Sequence, residues 1–464
     1  MTDPLAALAG ISARAWLVGG AVRDRLLGRE TSDYDVVVDG AVEAVARELG
    51  RTARGHAFEL SGAFGTWRVV AHDRSWQLDL LALEVGSIEQ DLARRDLTVN
   101  AIALELASGV YVDPFEGRRD LSERRLRMVS TDSFAADPLR TLRLARLGCE
   151  LDFDPEPATL AAARVSAPGL HEVASERVFA ELKRVIAADR AIAGLELMDA
   201  TGATEVVLPE LTALRGVAQS RFHHLDVFDH TRAVLAQTIA LERDPSPACE
   251  GPEQVTALRE RLAAPLANEL TRGQALRFGA LLHDIAKPDT RAVGSQGRVT
   301  FMGHDEAGAE LGSEILRRLR TSERLREYVA ALTRNHLRLG FLVHSMPLSR
   351  REIYDYLLAC SPVSVEVTLL SVADRLATRG DNSEQAIAKH LELARQLMGE
   401  ALAWVQDPPR PPLRGDELVQ ALGIKPGPAI GGLLRELEAE SFSGELATRE
   451  QAIERARQLI EQHG

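Results

Sequence analysis

LVGGAVRDRLLGRETSDYDVVVD, residues 17–39, is the stretch on which the reading of this chain turns. Trp16–Val18 reads as a short apolar strand, Gly19-Gly20 as a turn and Val22–Leu27 as the start of a helix. A second strand follows, carrying Asp33 and Asp35 two positions apart. Strand side chains alternate, so both carboxylates project from one face. Such a pair can hold divalent cations between a triphosphate and an attacking hydroxyl, the two-metal arrangement for moving phosphoryl or nucleotidyl groups. At Gly20 the backbone can come close to phosphate, with a helix N-terminus aimed at it. Arg23 adds a guanidinium suited to bidentate phosphate contact.

Further segments repeat the theme in order: RRDLTVNAIAL (94–104), DPFEGRRDL (113–121), ADPLRTLRLAR (136–146) and SERVFAEL (175–182). With the 17–39 run, they resemble the motifs of class II nucleotidyltransferases, the superfamily of tRNA CCA-adding enzymes and bacterial poly(A) polymerases. RRDLTVNAIAL is similar to the RRDFTINAL element, ADPLRTLRLAR to EDxxRxxRxxR and SERVFAEL to RxxxEL. Ala136 stands where that family usually has Glu, which leaves Asp137 and Arg140 for base recognition. The resemblance implies an α/β head, a small mixed sheet with helices, followed by all-α domains.

The chemistry of these segments agrees. Spaced by three on a helix, Asp137, Arg140 and Arg143 would line neighbouring faces, with Arg146 a turn further on. A carboxylate accepts from an exocyclic amine while a guanidinium donates to ring atoms, so Asp137 with Arg140 could read both CTP and ATP. Arg143 and Arg146 would neutralise triphosphate or hold the reading pair. Arg95 and Asp96 are expected to pair with each other or to contact sugar and phosphates. Asp79, in the alternating strand WQLDLLAL (76–83), is a candidate third catalytic carboxylate.

Beyond residue 220 a second constellation appears. FHHLDVFDHT (222–231) supplies His230, GALLHDIAKPD (279–289) supplies His283, Asp284 and Lys287, and GHDE (303–306) supplies His304. TRNHL (333–337) adds His336 and SVADRLATRGD (371–381) adds Asp374. Adjacent residues on a helix point about 100° apart, so the His283-Asp284 doublet can close on a metal from two sides. The ordered set resembles the HD phosphohydrolase superfamily. His304 and His336 suit a second metal, and Lys287 a substrate phosphate. Imidazole-rich sites favour a transition metal such as Ni²⁺ or Mn²⁺, whereas the carboxylate pair favours Mg²⁺.

A nucleotidyltransferase head followed by such a module is similar to the bacterial tRNA nucleotidyltransferase branch. GIKPGPAIGGLL (423–434) resembles the C-terminal segment of that branch, with a tight turn at Gly427-Pro428 before a helix from about Ile430. The tail suits contact with tRNA or with a second copy of the chain. The expected division is a nucleotidyltransferase head (1–135), a helical nucleotide-recognition and RNA-binding domain (136–220), an HD domain (221–405) and a helical tail (406–464). The run 243–254, rich in Pro, Gly and charge, reads as a mobile loop, and 407–415 as a stiff proline linker.

Composition narrows this. The 464 residues carry a formal charge of −13, which argues against a broad nucleic-acid coat. RNA contact must be local, and Arg118, Arg119, Arg124, Arg125 and Arg127, with Lys183 and Arg184, are the candidate patch. Three scattered cysteines make no disulfide framework and suit a reducing cytoplasm. With no long apolar run, no membrane span is expected. The expected activity is addition of CCA, or part of it, to tRNA. Alternatives are a CC-only or A-only enzyme, a poly(A) polymerase, or an HD phosphodiesterase with a binding-only head.

Overall fold

The computed structural model describes the chain except residues 1–2, 12–13, 62–64, 85, 220–223, 295–296, 380–382 and 464. It divides into two compact units, residues 1–207 and 208–464. The first covers residues 1–135 of the expected head and 136–207 of the expected helical domain, whose last residues, 208–220, fall with the second unit.

The first unit is built on a seven-stranded sheet ordered β3-β4-β5-β2-β1-β6-β7. Its strands are β1 (Arg14–Val18), β2 (Asp33–Asp39), β3 (Gly55–Ser61), β4 (Thr66–Ala71), β5 (Gln77–Ala82), β6 (Ala103–Glu105) and β7 (Tyr111–Val112). Only β2 and β5 run parallel; every other pairing is antiparallel. This is the mixed sheet with helices that the sequence leads one to expect.

Alternation gives the sheet two unlike faces. Leu17, Val36, Val38, Leu78 and Leu80 point into the main core, against the helix Val42–Thr52 with its buried Val45, Ala46 and Leu49. Trp16, Val18 and Val37 face the other way and form a smaller cluster with Ile88 and Leu92. Asp33 and Asp35 share that second face with Val37, which leaves them at the edge of an apolar patch instead of inside the core.

After the sheet, the helix Arg140–Leu151 packs on Ser175–Ala187 and Ala191–Thr201. The approach is close: a Cβ at Gly148 would lie 2.3 Å from Leu197 Cδ1. The packing on Ser175–Ala187 sets the row of arginines on Arg140–Leu151 against Glu181 of that helix.

The second unit is helical apart from two short hairpins. Val227–Arg243 packs on Arg272–Leu282 and Ser364–Ala377, while His304–Arg318 packs on Glu323–Asn335. A three-helix tail (Gly415–Leu422, Pro428–Phe442, Arg449–His463) closes on Leu418, Leu437, Ala452 and Ala456. Among the described residues no single helix is long and apolar enough to cross a membrane.

Two expectations change here. Residues 243–254 are not a mobile loop: they form a short 3₁₀ turn, Ser246–Ala248, and the start of the helix Pro252–Ala263. Pro252 sits at a helix start, where its missing N–H costs nothing, and Arg395 Nε bonds the Pro247 carbonyl at 3.0 Å. The tail helix likewise begins at Pro428, two residues before the expected Ile430.

Candidate functional site

Two constellations stand out, one in each unit. The first is an open cleft of about 930 Å³ on the acidic face of the sheet. Gly19, Gly20, Arg23, Asp33, Asp35, Arg95, Asp96, Arg140, Arg143 and Arg146 all line it. Asp33 and Asp35 stand on its floor, and Asp33 Oδ1 accepts a 3.0 Å bond from Gln77 Nε2.

Gly19 has φ 69°, and a Cβ there would stand 3.0 Å from Arg95 Nη1 and 3.6 Å from Asp35 Oδ2. The positive φ favours glycine, and a Cβ would press on the flexible end of Arg95. Asp35 is open toward the cleft but recessed in its floor. That recess, with repulsion from Asp33, raises its pKa to about 6 against attraction from Arg95.

Asp79 stands beside Asp35 in register on β5. Arg68, directly opposite on β4, holds it with bonds of 2.6 and 2.8 Å. Both Asp79 oxygens are thereby engaged in an ion pair with Arg68 beside Asp35.

The arginines are also more committed than expected. Arg23 is buried and bonds Asp24 at 2.9 Å and Asn100 at 2.7 Å. Arg95 and Asp96 do not pair with each other: Arg95 bonds Asp91 one turn back at 3.0 Å, while Asp96 takes Arg143 at 3.0 Å. Buried Asp96 would be driven up by desolvation, yet Arg143 and the Asn100 amide hold its pKa below the usual value. Arg143 and Arg146 meet on Glu181 at 3.3 and 2.5 Å.

Asp137 lies off the helix altogether. The helix starts at Arg140, and Asp137 is extended at φ −150°, ψ 99°. Pro138 is the reason, because a residue before proline is kept from helical geometry. Asp137 bonds Arg177 at 2.9 Å, and Arg140 donates to the carbonyls of Arg94 (2.7 Å), Arg95 (3.2 Å) and Ser133 (3.0 Å).

The arginine patch expected for RNA is largely paired. Arg119 and Arg125 bond Glu123, Arg127 bonds Asp120, Arg124 lies near Asp152 and Arg184 bonds Glu150. Asn100, Glu181, Arg177 and Arg68 were not singled out from sequence. The first three lie in segments already quoted, and Arg68 could have been found by pairing two alternating strands.

The second constellation is buried. His230, on the first turn of Val227–Arg243, lies 3.1 Å from Asp374 on Ser364–Ala377. His283 and Asp284 follow the end of Arg272–Leu282 instead of lying within it, and their Nε2 and Oδ2 are 3.1 Å apart. His304 opens its helix and His336 closes Glu323–Asn335, with Nε2 at 3.3 and 3.8 Å from Asp284 Oδ1.

Three rings are fixed in the same way. Nδ1 of His283, His304 and His336 meets the carbonyl three residues earlier, at Ala280 (2.8 Å), Phe301 (2.7 Å) and Thr333 (2.6 Å). Each ring thus presents Nε2 to the centre, the orientation a metal-binding histidine takes. Burial and the neighbouring His283 lower the His336 pKa to about 4, which keeps it neutral and able to bind metal. Desolvation would raise Asp284, but His283 and Lys287 carry it well below the carboxylate range.

Donor atoms of His230, His283 and Asp284 lie within 4.8 Å of one another, and so do those of Asp284, His304 and His336. His283 Nε2 and His304 Nε2 are buried without a hydrogen bond. Those orphaned atoms fit a metal centre with Asp284 shared between two positions. Lys287, expected to await a phosphate, is buried and bonds Asp284 at 2.6 Å and Gln219 at 2.7 Å.

Comparisons with known proteins match these regions. Residues 15–127 match the family model for the poly A polymerase head domain, 152–214 that for a probable RNA- and SrmB-binding site of polymerase A, and 227–379 that for the HD domain. An A-adding tRNA nucleotidyltransferase of Deinococcus radiodurans is 36% identical over 94% of this chain and 94% of its own. A CC-adding tRNA nucleotidyltransferase of Thermus thermophilus is 34% identical over 94% and 92%. A multifunctional CCA protein of Verminephrobacter eiseniae is 31% identical over 93% and 99%. In fold, the chain is similar to a CCA-adding enzyme solved with CTP, at TM-score 0.66 and 20% identity over 99% of this chain and 94% of the other.

The raised Asp35 pKa has a consequence in metal-free protein. Its proton is bound more tightly in the folded than in the unfolded chain, where the value is near 4. The stabilisation is present below pH 4 and is lost as pH rises through about 6. Asp35→Asn should therefore raise the thermal midpoint in EDTA at pH 7, and the gain should vanish toward pH 4. Mn²⁺ affinity of the parent should fall as pH drops below 6. Scanning calorimetry and Mn²⁺ titration check both; a variant no more stable at pH 7 would contradict this electrostatic account.

Proposed function

This chain belongs to the tRNA nucleotidyltransferase family, and from that premise we propose that its head transfers nucleotides from CTP and ATP to the 3′ end of tRNA. The observation that carries the reading is the Asp33/Asp35 pair on the floor of an arginine-lined cleft beside Gly19-Gly20. Its relatives include enzymes named for adding A, for adding CC and for the whole CCA, so the increment added by this chain is what the decisive experiment reads.

Asp33 and Asp35 offer only hard oxygen donors, which fit Mg²⁺. Bound there, Mg²⁺ would supply charge neutralisation at the triphosphate and lower the pKa of the attacking 3′-hydroxyl. The protein's own groups do the positioning. Gln77 orients Asp33, Gly19 admits Arg95 to the floor, and Arg68 keeps Asp79 from crowding Asp35 with a third unpaired charge. Arg143 and Arg146, braced by Glu181, hold one wall. Base reading falls to Asp137 and Arg140, with Arg177 releasing Asp137 when a nucleotide binds. The three cysteines are buried and free, which suits a reducing cytoplasm.

The HD cluster is proposed as a phosphohydrolase centre. Its imidazole donors fit Ni²⁺ or Mn²⁺, and metal bound there would supply an activated water for phosphate-ester hydrolysis.

Transcripts of tRNA ending before CCA, after its first C, after CC and after CCA, offered each labelled nucleotide in turn, should accept C, A or both only at the matching ends. Failure to extend any of them would refute the assignment. Asp137→Ala should relax discrimination against UTP and GTP by about tenfold, from a contact worth roughly 1–3 kcal/mol. An equal loss of rate with all nucleotides would instead assign Asp137 to holding Arg177.

Metal analysis tests the second centre. Manganese-loaded protein washed free of weakly held ions should retain two metals per chain at the HD cluster, and His336→Ala should retain one. A saturated parent with only a single tightly held ion would exclude sharing at Asp284.

A further inference from the structure

Away from both centres, the second unit holds a cavity of about 630 Å³ among helix ends. Two helices begin at it, Arg272–Leu282 and Ser364–Ala377, and Tyr328 of Glu323–Asn335 lines its wall. His283 and Asp374 lie at the far ends of the first two. At 1.5 Å per residue, the cavity is about 15 Å from the histidine cluster.

Its charge is unbalanced. Glu366 is fully buried, and two guanidiniums converge on it. Arg261 donates Nε to Oε1 at 2.9 Å, and Arg272 donates its own Nε to the same oxygen. The two arginine side chains are only 19% and 12% exposed. One carboxylate does not neutralise two guanidiniums, and charge withdrawn from water is costly unless it is compensated. Glu242 is already held by Arg277 at 2.8 Å, and Glu327 on the rim stands with Arg324 of the same helix. Both Nη groups of Arg272, and Nη1 of Arg261, make no hydrogen bond among the described residues. The wall therefore carries a positive charge with free donors.

Ser364 adds an independent sign of a ligand. It is fully buried and lines the cavity, and its Oγ has no hydrogen-bond partner among the described residues. A buried hydroxyl left unpaired is costly unless something else takes it. Ser364 opens its helix, and Val363 before it supplies no side-chain cap. The first-turn N–H groups and the positive end of the helix dipole are thus left at the same place. The remaining wall is apolar, with Leu266, Val363, Trp404 and Val405.

We propose that this cavity binds a small phosphate monoester. Its terminal phosphate accepts from Arg272, Arg261 and Ser364, and its organic group rests on the apolar wall. Guanidiniums suit phosphate oxygens, and the volume suits a small molecule. The depth of the arginines argues against a diester within an RNA strand, where sugar flanks each phosphate on both sides.

The test titrates full-length, metal-loaded protein calorimetrically with phenylphosphonate, which carries the phosphate charge and is not hydrolysed, and with methylphosphonate. Phosphonates also meet the metal centres, so the diagnostic is one equivalent of binding that the parent shows and Arg272→Gln lacks. That variant leaves Glu366 paired with Arg261. Ser364→Ala breaks no hydrogen bond of the hydroxyl, so it should keep the thermal midpoint while weakening the same equivalent about tenfold, the worth of one hydrogen bond to a charged group. Phenylphosphonate should bind there more tightly than methylphosphonate. If Arg272→Gln fails to fold, Ser364→Ala alone decides. Equal stoichiometry and affinity in parent and Ser364→Ala would overturn the site and leave the two arginines and Glu366 as a structural ion cluster. Equal affinities for the two phosphonates would overturn it too, as would displacement of phenylphosphonate from this equivalent by tRNA, which would give the cavity to an RNA phosphate.

Discussion

The parallel pairing of β2 with β5 is the constraint from which the head follows. It sets Asp35 beside Asp79 in a sheet otherwise built from antiparallel neighbours. Three carboxylates on one face would repel each other; the pKa of Asp35 is raised first by burial, then by Asp33, with a smaller push from Asp79. Arg68, delivered opposite Asp79 by β4, relieves part of it. What remains is a pair of carboxylates on one strand, with Gly19 leaving room for Arg95 beside them. The other face of the same strands carries the core, so the geometry of the acidic pair is set by the packing that folds the unit.

The second centre reaches preorganisation by another route. Its candidate metal-binding residues cluster at helix ends: His283 and Asp284 after one helix, His336 at the close of another, and His304 at the start of a third. Each Nδ1 is tied to a carbonyl of its own preceding turn. Orientation therefore comes from local backbone, while convergence on Asp284 comes from helix packing. Burial then keeps His336 neutral and removes water that would compete for the donors.

Much of this was legible in the sequence because it is local or periodic. Alternation in β2 placed Asp33 and Asp35 on one face, and the ordered histidines and aspartates of the second unit do converge. Partners were the harder part. Arg95 and Asp96 are adjacent in sequence, yet their side chains go to Asp91 and Arg143 respectively. Periodicity put Asp137 on the arginine helix, but Pro138 was the stronger signal and moves it ahead of the helix start. The basic cluster at 118–127 is interleaved with acids that pair with it, Glu123, Asp120 and Asp152, and those pairings were not legible from the arginines alone.

The two centres differ in chemistry, one a pair of carboxylates and the other imidazoles gathered around Asp284. The most direct measurement follows nucleotide incorporation into tRNA and hydrolysis of a cyclic phosphate ester on the same preparations of parent, Asp33→Ala/Asp35→Ala and His283→Ala/Asp284→Ala proteins. The first double variant should lose incorporation and keep hydrolysis, and the second should do the reverse. Loss of both activities in either well-folded variant would contradict the separation.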